Sequence, residues 1–156
     1  MKTIGALAAV SVLALSVSAS EPAFARNGGA IAAGVVGGLA VGALPLISTI
    51  PMLSARHAKP IPGFFVRKEV KDHGTMKLVE GLAEGETLRG KRVVILDDVT
   101  TTGGSAMIAV QAATDAGAKV ILVLSVVDRE EGAEEFYKEK GIPFEALFRA
   151  SELLGS

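Results

Sequence analysis

The run Val93-Val94-Ile95-Leu96-Asp97-Asp98-Val99-Thr100-Thr101-Thr102-Gly103-Gly104-Ser105-Ala106 decides how this chain reads. Its aliphatic start, from Arg92 to Leu96, predicts a buried strand, closed by two adjacent carboxylates. A turn rich in Thr and Gly follows. It leads into a helical pattern from Thr102 to Ala116, with Met107, Val110 and Ala113 facing inward and Gly117 at the stop. The hydroxyls and backbone N–H groups of Thr100 to Ser105 stand where the positive end of the helix dipole begins, and the glycines let the backbone come close to a ligand. Together these form a cradle for phosphate. Asp97 and Asp98 add acceptors for ligand hydroxyls, or negative charge opposite a developing cation. An Asp-capped strand and a Thr-capped helix would account for part of the pattern in purely structural terms. They do not account for an acidic pair running directly into a Thr/Gly nest. The Lys-Ser/Thr ending of a triphosphate-binding P-loop is missing, so a nucleoside triphosphate is a poor candidate ligand.

Working outward, Lys119 to Val127 is nearly continuous in Val, Ile and Leu, as a strand buried on both faces should be. Glu131 to Lys140 reads as a charged helix ended by Gly141-Ile142-Pro143. Phe144 to Phe148 reads as a last short strand before a small terminal helix. Upstream, Gly63-Phe64-Phe65-Val66 is β-prone, and the charged segment from Arg67 to Gly90 reads mostly as loop. Strands and helices that alternate through short connections predict an α/β fold with a parallel sheet. In such a sheet ligands bind at the carboxyl ends of the strands, so the residues leaving each strand are the functional candidates.

Composition narrows the classes. The 156 residues are 49% hydrophobic and 21% charged, with no Cys or Trp and a net charge of −1. This excludes wholesale disorder, a disulfide scaffold, a thiolate metal site and a Cys nucleophile. Near-neutral charge offers no global attraction for nucleic acid. The apolar excess is concentrated at one end: from Met1 to Ala55 the only charged residues are Lys2, Glu21 and Arg26. Lys2, the apolar run Ile4 to Val17 and Ala23-Phe24-Ala25 have the order of a secretory signal cleaved after Ala25. Residues 1–25 are therefore expected to be signal-like, 26–34 a Gly/Ala-rich joint and 35–156 the folded domain. The uncharged stretch from Asn27 to Ala55 allows two readings. Gly34, Gly38 and Gly42, four apart, suit a close-packed membrane helix. Pro45 and Pro51 instead suit a strand, a turn and a helix with Pro in its first turn.

The stretch from Val93 to Ala106 resembles the phosphoribosyl-pyrophosphate-binding loop of type I phosphoribosyltransferases. Phe65-Val66-Arg67-Lys68-Glu69-Val70-Lys71-Asp72-His73-Gly74 is similar to the mobile loop of orotate phosphoribosyltransferases. The likeness runs from about Val35 to Leu154. It favours strand, turn and helix over a membrane span between Gly34 and Ile50, with Val36 to Pro45 as the first strand and a pyrophosphate loop. Many members of the family have Lys where this chain has Gly42, so a contact there would come from backbone alone.

The resemblance implies Mg²⁺-dependent transfer of a phosphoribosyl group from phosphoribosyl pyrophosphate to orotate, in a cytoplasmic homodimer. The ion would be bound mainly through substrate oxygens. Asp97 and Asp98 would hold the ribose hydroxyls and face the oxocarbenium-like sugar, while Val99, Thr100, Thr101, Thr102, Gly103, Gly104 and Ser105 would cradle the 5′-phosphate. Arg67, Lys68, Lys71 and His73 would close over pyrophosphate, with Lys68, Lys71 and Asp98 as the catalytic groups. Thr101 and Arg129 would contact orotate; His57, which has no motif around it, is expected to face solvent. The resemblance also carries the expectation that the family's N-terminal hood over the base is lacking, and that any membrane contact would be through the signal-like segment alone. Two other readings follow from these departures: a non-catalytic phosphoribosyl pyrophosphate-binding regulator, and an exported glycine-zipper protein carrying an inactive passenger domain.

Overall fold

The computed structural model describes residues 34–40, 42–57, 60–67 and 78–155. The signal-like segment 1–25, most of the 26–34 joint, and Lys68, Lys71 and His73 lie outside the described residues.

Six strands form one sheet in the order β3-β2-β1-β4-β5-β6. They are β1 (Val35–Leu39), β2 (Gly63–Val66), β3 (Val79–Glu80), β4 (Arg92–Thr100), β5 (Lys119–Asp128) and β6 (Phe144–Arg149). The helices are α1 (Leu44–Arg56), α2 (Gly104–Asp115), α3 (Ala133–Glu139) and α4 (Ala150–Leu154). All neighbouring strands pair parallel except β2 and β3, so the expected parallel sheet carries one antiparallel edge. That edge falls inside the segment expected to be loop. Two residues are too few to leave a periodic signal; they pair because Arg67 folds back on them, its N–H donating to Leu78 O at 3.0 Å and its guanidinium meeting Glu80.

Helices cover both faces. On one face α2 and α3 pack Ala106, Ala109, Val110, Ala113, Ala133 and Tyr137 onto Val35, Val93, Ile95 and Val123; on the other, Ile47 and Ile50 of α1 lie over Val36, Leu96, Leu122 and Leu124. Each fully buried Ile or Phe in these layers contributes about 1.5–3 kcal/mol. The glycines of β1 serve this packing: the Phe64 ring fills the space a Cβ at Gly37 would need, and at Gly38 the Leu96 carbonyl does the same.

From Gly34 to Ala55 the described residues form strand, turn and helix. Pro45 sits in the first turn of α1, and Pro51 lies inside it. Among the described residues no helix is long and apolar enough to cross a membrane. Met107 packs half-buried against the core, while Val110 and Ala113 are buried, as the helical pattern predicts. Strand ends differ from expectation. β4 continues past Leu96 to Thr100 because β5 keeps pairing with it, Asp97 opposite Ser125 and Thr100 opposite Asp128. Asp97 and Asp98 thus lie within the strand rather than closing it at Leu96.

Candidate active site

β1 and β4 are neighbours whose following helices leave to opposite faces of the sheet, α1 to one and α2 to the other. Their carboxyl ends therefore open a crevice, which is where α/β sheets bind ligands. The residues Leu39, Ala40 and Gly42 leave β1 there, and Asp97 to Ser105 leave β4.

Because successive residues of a strand face opposite sides, the acidic pair is split. Asp97 is only 8% exposed, and its Oδ2 accepts a hydrogen bond of 2.9 Å from Thr100 Oγ1, itself buried. Burial raises the Asp97 pKa above the usual carboxylate value, and the Thr100 bond opposes that rise. Asp98 is exposed and lies against Gly42. The two carboxylates expected to act alike are thus unlike: Asp98 stands at the mouth, and Asp97 lies beneath it, tied to the loop.

The phosphate-cradle loop is built from the same strand end. Val99, Thr102, Gly104 and Ser105 are exposed and Thr101 is half-buried. Gly103 has φ 87° and no side chain caps α2, so the first-turn N–H groups of the helix are left to a ligand or to water. The expected helix start at Thr102 moves to Gly104, because the left-handed Gly103 is where the chain turns.

Arg129 is brought alongside. Its N–H donates to Thr100 O at 2.9 Å, which sets it beside Thr101, the other residue expected to contact a base. Its guanidinium meets Glu131 at 2.7 Å, an exposed ion pair of little strength that leaves the cation available. The turn that carries it is braced. Asp128 Oδ1 accepts from Glu130 N, Glu130 takes φ 61°, and Glu130 Oε2 accepts from Ser151 N at 2.8 Å. The Ser151 N–H lowers the Glu130 pKa.

Arg67 is placed differently from the expectation that it closes over an anion. Its Nη2 donates to Glu80 Oε2 at 2.9 Å, while Nε lies 2.7 Å from Oε1 without hydrogen-bond alignment. The guanidinium is therefore engaged across the β2–β3 edge. His57 is exposed at the end of α1, as expected.

One contact had no counterpart in the motifs. Tyr137 of α3 donates from its hydroxyl to Gly103 O at 2.6 Å. The only sequence signal was that a segment otherwise rich in charge carries Phe136-Tyr137, the latter being the sole tyrosine.

Comparison with known proteins bears on this site. A family model described as the phosphoribosyl transferase domain matches residues 26–145. An orotate phosphoribosyltransferase of Rhodopseudomonas palustris (strain BisB5) is 56% identical over 119 residues, covering 76% of this chain and 64% of that protein. One from Bradyrhizobium diazoefficiens is 54% identical over 119 residues, with the same coverage of 76% and 64%. Among solved structures, the Mycobacterium tuberculosis orotate phosphoribosyltransferase in complex with Fe(III) dicitrate superposes with a TM-score of 0.69 at 34% identity, covering 92% of this chain and 73% of that one. The same enzyme in complex with 5-phospho-α-D-ribosyl 1-diphosphate gives 0.64 at 36%, covering 78% and 65%. The chain thus spans just under two thirds of the length of these two sequence relatives.

Proposed function

Since the chain belongs to the phosphoribosyltransferase family and has its type I fold, we propose that it transfers a 5-phosphoribosyl group from phosphoribosyl pyrophosphate to N1 of orotate, giving orotidine 5′-monophosphate and pyrophosphate. The observation that carries this reading is the meeting of exposed Asp98, the uncapped start of α2 and Arg129 at one strand-end crevice. Its support is 56% identity to a protein of that name.

The bond from the ribose anomeric carbon to pyrophosphate breaks early, its electrons leaving with the phosphate oxygen; orotate N1 forms the new bond to that carbon and gives up its proton, which the departing pyrophosphate takes. Positive charge grows on the sugar while negative charge grows on the leaving group, so catalysis is positioning and electrostatics. In this reading Asp98 binds the ribose hydroxyls and faces the developing cation, and Asp97, held by Thr100, supplies the second carboxylate. The 5′-phosphate takes hydrogen bonds from the hydroxyls of Thr101, Thr102 and Ser105 and from the backbone N–H groups between Val99 and Ser105. Lys68, Lys71 and His73 carry charge to pyrophosphate, with Arg67 at the root of their segment. Arg129 and Thr101 hold the orotate carboxylate and carbonyl.

Mg²⁺ belongs to this proposal. One exposed carboxylate, Asp98, suits an ion that keeps several waters and draws most of its ligands from substrate oxygens. When bound, it supplies charge neutralisation at the leaving pyrophosphate. A homodimer is proposed likewise, with the Lys71 segment shared between subunits.

The deciding experiment is pyrophosphate release with Mg²⁺ and phosphoribosyl pyrophosphate, comparing orotate with other pyrimidine and purine bases. Orotate-dependent release supports the proposal, release with a different base reassigns the acceptor, and binding without any release favours the regulator. The division into a signal-like segment 1–25, a joint 26–34 and a transferase domain 35–156 is also proposed. N-terminal sequencing of fractionated protein tests it, since a chain beginning at Arg26 outside the cytoplasm is its consequence and an intact Met1 start overturns it.

A further inference from the structure

Tyr137 is the only tyrosine in a chain without tryptophan. Its ring is fully buried, stacked on Phe144 with centroids 5.1 Å apart and edge-on to Phe136 at 5.2 Å. Its one polar atom reaches across 34 residues of sequence to donate to Gly103 O at 2.6 Å. A buried phenol needs a partner, and the choice of partner here has consequences. Gly103 is the left-handed residue that turns β4 into α2, and its carbonyl also accepts the Met107 N–H at 3.2 Å. A Cβ at Gly103 would come within 2.9 Å of the rings of both Phe136 and Tyr137, so the loop is seated directly on this aromatic pair.

The Gly103 carbonyl and the Gly104 N–H belong to one planar trans peptide unit and point in opposite directions. Holding the carbonyl inward therefore aims the N–H outward, at the mouth. We propose that Tyr137 is a positioning residue for anion binding: its hydroxyl fixes the Gly103–Gly104 peptide plane so that the Gly104 N–H donates to a phosphate monoester, which in the transferase reading, on which this identification rests, is the 5′-phosphate of the donor. Burial, with a smaller contribution from the nearby Asp97 charge, raises the phenol pKa. The group stays protonated and donating at neutral pH.

The test uses the full chain and ribose 5-phosphate as the probe. Tyr137→Phe keeps the ring stacking and removes only the donor, whose loss corresponds to about a tenfold weaker dissociation constant for ribose 5-phosphate by calorimetry. With turnover, KM for phosphoribosyl pyrophosphate rises while KM for orotate stays put, a split that general loosening of the fold would not produce. An unchanged dissociation constant overturns the proposal. Should Tyr137→Phe fail to fold, 3-fluorotyrosine incorporated into the wild-type chain gives a single fluorine resonance. A shift of that resonance on saturation with ribose 5-phosphate supports the coupling, and a fixed resonance overturns it. The two proposals fail separately. A protein that binds ribose 5-phosphate but releases no pyrophosphate with any base sinks the transferase reading alone. Full turnover in Tyr137→Phe with unchanged KM values sinks this one alone. A wild type that binds no phosphate monoester sinks both.

Discussion

Gly42, leaving β1, lies against the carboxylate of Asp98, near the end of β4: a Cβ at residue 42 would meet Oδ1 and come within 2.8 Å of Cγ and Oδ2. The two strand exits thus share one point of contact, and Gly42 holds φ 47° there.

Gly42→Ala should therefore act twice. A side chain at that φ costs about 1–2 kcal/mol, and the new methyl group turns the Asp98 carboxylate away from its position. The expected outcome is a turnover loss larger than the stability loss explains. Steady-state kinetics beside urea denaturation check it; a variant as active as wild type would show that the Asp98 position is not critical.

Lys71→Ala and Asp98→Ala should separate chemistry from binding. Removing Lys71, assigned to the departing pyrophosphate, should lower kcat by about 10²–10³-fold, as loss of one charge-stabilising donor does, with a small change in donor affinity. Asp98→Ala should weaken both kcat and donor binding, because the proposed mechanism has it face the ribose before and during reaction. Calorimetry with phosphoribosyl pyrophosphate and single-turnover rates distinguish the two patterns.

The buried Asp97 should make stability depend on pH in a direction opposite to that of a surface salt bridge. Its folded pKa is raised above the ordinary value of 3.8, so its contribution is fully present below that value and is lost as pH rises through the folded pKa. Asp97→Asn keeps an acceptor for Thr100 and cannot ionise. Relative to wild type it should gain stability on going from pH 4 to pH 7. Urea midpoints across that range measure the difference, and a flat difference would contradict it.

Gly103→Ala should damage stability and anion binding together. It adds strain at φ 87° to contact with two rings at 2.9 Å, together about 3 kcal/mol. Thermal unfolding should show a drop of several degrees together with loss of ribose 5-phosphate binding.

Glu80→Gln should have little effect on stability, under about 1 kcal/mol, since Arg67 and Glu80 are partly exposed. If Arg67 serves pyrophosphate at all, loosening this pair should lower KM for the donor. An unchanged KM would leave Arg67 as a strut of the β2–β3 edge.

Much of the fold was legible because burial writes itself into residue type. β4 opens with the aliphatic run Val93 to Leu96, β5 is aliphatic from Val120 to Val127 except at Ser125, and the turn between β4 and α2 needed the left-handed Gly103. What escaped notice depended on partners distant in sequence. β3 is two residues long and pairs through Arg67 and Glu80, which no periodicity reveals. The extension of β4 to Thr100 follows from pairing with β5. The unequal acidic pair was readable in principle, since neighbours on a strand face opposite ways. It required knowing that Asp97 and Asp98 lie within the strand and not beyond it.

By itself the sequence determined the order of the elements apart from β3, and the class of sheet, because hydrophobic period and turn residues are local properties. Tertiary structure alone decided which carboxylate reaches the mouth, that Arg129 stands beside Thr100, that Arg67 is engaged by Glu80, and that Tyr137 props Gly103. Each of these is a contact between residues brought together by parallel pairing or helix packing. Such contacts depend on where the chain goes after it leaves the segment being read.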